Sequence, residues 1–157
     1  MNAKYINFYN NLINLTRNKS LYIDFNKQDT FSDRLIIFLF HFAFFLYKFK
    51  SETEKKRLQD LFDDVFHQIE ISIREIGYGD VSINKKMKTY VNTFYSILDE
   101  IEKWESLDLD KKNKIINKYL NVNTKSLELA QYFENYINYL KKNTFNSLIK
   151  GVIKPNF

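Results

Sequence analysis

Apolar residues recur three and four positions apart along most of this chain, the period of helices that bury one face. From Met1 to Arg17, Tyr5, Phe8, Tyr9, Leu12 and Leu15 follow that spacing and predict an amphipathic helix docked on the rest of the domain. Asparagines interrupt this stretch and no small-residue cleavage site follows it, so it does not resemble a signal peptide. Leu21 to Phe25 is short and alternating, and predicts a loop or a single turn. Thr30 and Asp33 then form a Thr-x-x-Asp start signal for a helix over Leu35 to Phe49 that is apolar on every face from Leu35 to Tyr47. Such a helix has to be surrounded. As a helix the run covers about 20 Å, short of the roughly 20 apolar residues a membrane span needs, so a central buried helix is favoured over a membrane-dipping one.

Ser51 and Glu54 have the spacing of a capping box, opening a helix whose apolar stripe runs through Leu58, Leu61, Phe62, Val65, Phe66, Ile69, Ile73 and Ile76 and packs on the central helix. The corner that follows, Arg74 to Lys88, holds two of the three glycines. Gly77 is suited to the left-handed conformation that ends a helix, and Asp80 or Ser82 to accepting the first N–H groups of the next. That next helix, antiparallel to its predecessor, places Ile83, Met87, Tyr90, Val91, Phe94, Leu98 and Ile101 on one face and runs to about Trp104. Asp108 or Asp110 caps a short basic helix, Lys111 to Leu120, and Asn123 or Thr124 opens a last long one. There Leu127, Ala130, Phe133, Ile137 and Leu140 form the core stripe, with Tyr132, Tyr136 and Tyr139 beside it as semi-buried aromatics. The pattern thus predicts an all-α single domain of about six helices around Leu35 to Tyr47, with an N-terminal helix and loop over 1–28, a core over 29–143 and a tail over 144–157.

Composition narrows the chemistry. One domain's length of 157 residues, 45% hydrophobic and 17% aromatic, describes a folding chain, and one proline with three glycines favours long helices over a many-turned β architecture. Zero cysteines exclude disulfides, thiolate metal sites and cysteine nucleophiles. His41 sits in the apolar helix without a second ligand at helical spacing, as a satisfied core histidine or one facing a pocket does. Asp64, His67 and Glu70 follow one another at spacings of three, but a dinuclear site would need a matching Glu-x-x-His set on a second helix, and none exists. Asp99, Glu100 and Glu102 flank Lys103 as a charged surface does. No P-loop, dinucleotide fingerprint or nucleophile elbow is present, so an enzyme would need an acid–base pair assembled only by folding. The expectation is a non-enzymatic protein with no catalytic residue, cofactor or metal. A formal net charge of +5 suits an acidic partner such as ribosomal RNA, anionic lipid headgroups or an acidic protein. Lys85, Lys86 and Lys88 lie in the first turns of their helix, where the dipole disfavours cations, so a partner for them is worth considering.

The stretch Arg74-Glu75-Ile76-Gly77-Tyr78-Gly79-Asp80-Val81-Ser82, continued by Lys85-Lys86-Met87-Lys88 and Phe94-Tyr95, resembles the signature of the ubiquinol-cytochrome c chaperone family. Asp29-Thr30-Phe31-Ser32-Asp33-Arg34 with His41 in the apolar run behind it, Leu61-Phe62-Asp63 and Phe66 agree with that resemblance, which covers roughly Tyr5 to Tyr119. It implies an assembly chaperone that holds cytochrome b, or another precursor of the ubiquinol-cytochrome c reductase complex (respiratory complex III), until the other subunits join. It also implies that a small partner protein, the ribosome and peripheral contact with the inner membrane come into question, but not DNA. The setting would be a bacterial cytoplasm near the inner membrane, or the matrix side of a mitochondrion. The competing expectation is a basic helical ribosome- or RNA-binding module without a respiratory client. On the chaperone reading Gly77, Gly79 and Asp80 set a rigid turn that presents Arg74, Lys85, Lys86 and Lys88 as one basic surface for the client or the ribosome. On the alternative, Arg74 pairs with Glu70 or Glu75 and the lysines are merely solvated.

Overall fold

A computed structural model of the chain describes residues 3–22, 30–120 and 128–153. Seven α-helices are present among them: α1 (Ile6–Thr16), α2 (Phe31–Phe49), α3 (Lys55–Ile76), α4 (Asp80–Ile101), α5 (Leu109–Tyr119), α6 (Glu128–Lys141) and α7 (Phe145–Lys150). Short 3-10 turns at Ala3–Tyr5, Lys19–Tyr22 and Trp104–Ser106 complete the described secondary structure, and no strand occurs in it. The predicted turn from Leu21 to Phe25 is thus half seen, and residues 23–25 lie outside the described residues, as do Asp29, Asn123, Thr124, Lys125 and Leu127.

α2 is the axis of the fold because its sequence leaves it no polar face. Every side chain from Leu35 to Phe45 is buried. Its start is chemical: the Thr30 hydroxyl accepts the Asp33 N–H at 3.2 Å and donates to the Asp33 carboxylate at 2.8 Å, a reciprocal cap that begins the helix at Phe31, a turn before Leu35. Aromatic contacts then seat each neighbour on a different side of α2. α1 brings Phe8 to 4.5 Å from Phe45, α4 brings Phe94 to 5.1 Å from Phe42, α6 brings Phe133 to 5.6 Å from Phe40, and the Trp104 turn reaches Phe44 at 4.9 Å, all centroid to centroid.

Four local expectations need correction. The Ser51–Glu54 capping box does not form. The chain at Ser51 is still turning out of α2, with the Glu52 N–H on the Phe49 carbonyl and its carboxylate on Lys48, and Glu54 itself takes the N-cap position without a side-chain bond. α3 lies chiefly on α4 and α1, and it touches α2 through the Phe66–Phe42 ring contact. α4 ends at Ile101, before Trp104. Tyr136 is fully buried: its hydroxyl donates to the His41 carbonyl at 2.9 Å, so a residue of the tyrosine stripe belongs to the core. The end of the chain also carries structure, since Thr144 and Ser147 cap α7 reciprocally, Phe145 packs on Phe45 and Phe49, and Asn11 donates to the Gly151 carbonyl at 2.8 Å, tying α7 to α1.

Candidate partner-binding surface at the helical corner

The buried and charged candidates elsewhere are used by the fold. The His41 Nδ1 meets the Ile37 carbonyl at 2.8 Å, which only an N–H can do, so Nε2 accepts from the Tyr132 hydroxyl at 2.6 Å. Burial lowers the imidazole pKa to about 4, and the ring is neutral. His41 is therefore the satisfied core histidine, with both nitrogens engaged. Glu100 pairs with Lys118 at 2.7 Å and Glu102 with Lys50 at 2.9 Å. Glu134 accepts from the Trp104 indole at 2.7 Å and from Lys112, holding the Trp104 turn and α5 against α6. Asp64, His67 and Glu70 do not assemble a site: among the described residues no three His, Asp or Glu side chains converge as metal ligands would.

The α3–α4 corner differs, because its side chains turn outward. Ile73 and Ile83 are buried, yet all nine residues between them, Arg74 to Ser82, are exposed, so the corner overhangs the bundle. Gly77 has φ +110°, and its N–H closes on the Arg74 carbonyl at 2.9 Å. That left-handed conformation ends α3 as its spacing predicts. Gly79, at φ −78° and ψ 165°, is extended in a way any residue can adopt, and it occupies the N-cap position expected for Asp80 or Ser82. Neither of those two caps the helix. Asp80 is the first residue of α4, and its carboxylate instead receives the Arg74 guanidinium at 2.6 Å. Arg74 Nε lies 3.9 Å from Glu70. The hydrogen bond to Asp80 raises the Arg74 pKa, and the guanidinium acts as a brace across the turn.

The lysines fan out. At about 100° per residue, Lys85 and Lys86 diverge by a quarter turn, and Lys88 lies on the far side of Lys85 from Lys86. Lys86 Nζ rests 4.5 Å from the centre of the Tyr78 ring, a cation–π contact that ties the turn to the first helical turns of α4. Lys85 and Lys86, with Ser32, Ser82, Thr89 and Tyr90, line an open groove of about 550 Å³ between α4 and the start of α2. Lys85 and Lys88 are exposed.

What charge patterning missed is apolar. Ile76 is 53% exposed, Tyr78 42% and Val81 78%, three of the five large hydrophobic side chains that stand out from the surface among the described residues. The helical period continues the α3 stripe through Ile76, but the stripe has run past its neighbours by then. Val81 carries a signal of its own, since it falls beside and not on the Ile83–Met87–Tyr90 face. An apolar tip braced by Arg74–Asp80 and flanked by Lys85 and Lys86 is amphipathic, which suits a protein segment better than a nucleic-acid backbone.

Comparison with known proteins agrees. The family model for the ubiquinol-cytochrome C chaperone matches residues 24–151. The chain belongs to the ubiquinol-cytochrome c chaperone family. The match takes in α2 to α7 and runs past Tyr119, where the motif resemblance ends. The crystal structure of the Cbp3 homolog from Brucella abortus superposes with a TM-score of 0.73 at 20% identity, covering 98% of this chain and 91% of that one. α1, which precedes the family match, is thus part of the shared fold. No curated protein matches the sequence at a significant level. The family places this chaperone in the assembly of respiratory complex III, and its corner is the protruding amphipathic feature of the fold.

Proposed function

We propose that this chaperone binds cytochrome b, or another precursor of the ubiquinol-cytochrome c reductase complex, through the α3–α4 corner during biogenesis. The observation that carries the proposal is the exposed run from Arg74 to Ser82, in which Ile76, Tyr78 and Val81 leave the core while Arg74–Asp80 and Gly77 hold the turn in one shape. A membrane-protein precursor offers apolar segments flanked by charge. The corner supplies apolar area for the first, and Lys85, Lys86 and Lys88 supply cations for acidic flanks. Arg74, Gly77, Gly79 and Asp80 act as positioning residues on this reading. The role is non-enzymatic.

The test is the pair Lys85→Glu/Lys86→Glu and Ile76→Ser/Val81→Ser. Reversal at the two lysines leaves the fold intact, since acidic side chains near a helix start are favoured by a few tenths of a kcal/mol. Each pair should reduce recovery of cytochrome b with the tagged chaperone and lower ubiquinol-cytochrome c reductase activity. The lysine effect should shrink as salt rises, as an exposed charge contact requires. Undiminished recovery with both pairs at low ionic strength would refute the corner as the client site. Copurification of ribosomal RNA without any heme-protein subunit would replace the reading with the ribosome- or RNA-binding one.

A further inference from the structure

A second concavity, independent of the corner, opens between α1, α2 and α3 and holds about 200 Å³. Its floor is apolar: Leu35, Phe38 and Ile69 are buried there, with half-buried Ile13 and Phe31 above them. Two arginines line the same cavity, Arg17 exposed at the C-terminal end of α1 and Arg34 half-buried in the first turns of α2. The hydroxyls in the wall are already used. Tyr9 and Ser72 bond each other at 3.1 Å, and the Thr16 hydroxyl donates to the Leu12 carbonyl at 2.8 Å.

This combination restricts the ligand. A peptide strand entering the cavity would bring backbone N–H and C=O groups into a wall whose hydroxyls are engaged, and unpaired buried polar groups are unfavourable. An unbranched alkyl chain has no such groups. A cavity of 150 Å³ accepts the six carbons of benzene, so one of this volume takes about eight. Guanidinium groups match carboxylate oxygens in a planar, two-point geometry. We propose that this cavity binds a single-chain fatty carboxylate of about eight carbons, its tail on Leu35, Phe38 and Ile69 and its headgroup at Arg17 and Arg34.

The experiment titrates the full chain with sodium hexanoate, heptanoate, octanoate and decanoate by calorimetry, following amide shifts by NMR. One site per chain is expected, with shifts concentrated at Ile13, Leu35 and Ile69. Affinity should rise about fourfold per methylene up to about eight carbons and then level off. Arg17→Gln and Arg34→Gln should each weaken octanoate about tenfold and leave 1-octanol unchanged, because only the acid makes the charge-assisted bonds. Should Arg34→Gln fail to fold, Arg17→Gln at the exposed position and Ile13→Trp, which fills the mouth, carry the test. The proposal is overturned by any of three results: no saturable binding at millimolar octanoate, octanol binding as tightly as octanoate, or N-acetyl-Leu-Phe binding the same residues more tightly than octanoate does.

Discussion

The buried histidine makes a prediction whose size follows from one displacement. His41 has a folded-state pKa of about 4 against an ordinary value of 6.5, because burial disfavours the imidazolium and the Tyr132 hydroxyl already occupies Nε2. Above pH 6.5 the ring is neutral in both states and the full stability is present. As pH falls below 6.5 the unfolded chain takes up a proton that the fold refuses, so stability is lost progressively until about pH 4, where the folded ring titrates too. At about 1.4 kcal/mol per unit, this single group removes about 3 kcal/mol across the window. Carboxylates add their own pH dependence, and Glu100, whose pKa is set by burial against its bonds to Lys118 and Tyr119, comes out lowered, so its contribution fades only at the acid end. The measurement is therefore a difference. Urea unfolding of wild type and of His41→Gln, which cannot titrate, would be followed from pH 7.5 to 4.0. The variant is less stable near neutrality, yet the gap should close steadily by about 3 kcal/mol as pH falls. Parallel curves through the window would show that His41 is protonated in the fold and that its assigned hydrogen bonds are wrong.

Three further outcomes test other parts of the structure. Gly77→Ala should cost about 1–2 kcal/mol, lowering the thermal midpoint by about 2–8 °C, whereas Gly79→Ala should be neutral or stabilising by up to about 1 kcal/mol; an added Cβ meets nothing within 4 Å at either site, so the backbone angle alone separates them. Glu134→Ala strands the Trp104 indole N–H and Lys112 together, and should destabilise by about 3 kcal/mol with a change in tryptophan fluorescence. Thr30→Ala removes the α2 cap and should cost about 1 kcal/mol in urea unfolding.

Much of this architecture was legible in the residues because helices are local. Three- and four-residue spacing of apolar side chains located α1, α3, α4 and α6, and the absence of any polar face from Leu35 to Tyr47 identified α2 as the helix the others enclose. Gly77 announced its turn because few residues other than glycine sit easily at φ +110°. Capping was less legible, since it depends on where the backbone bends and not on which residues are near. The Ser51–Glu54 spacing is the same as that of a working box, but the turn out of α2 had not ended there.

The candidate surface divided in the same way. Its charges and glycines stood out in the sequence, and a basic corner followed from them directly. That Arg74 is spent on Asp80, that Lys86 leans on Tyr78, and that Ile76 joins Tyr78 and Val81 outside the core depend on how far α3 extends beyond its neighbours. Periodicity states which face a residue lies on. Whether another helix covers that face is a long-range matter, decided by where α1 ends and α4 begins, and only the packed chain contains it.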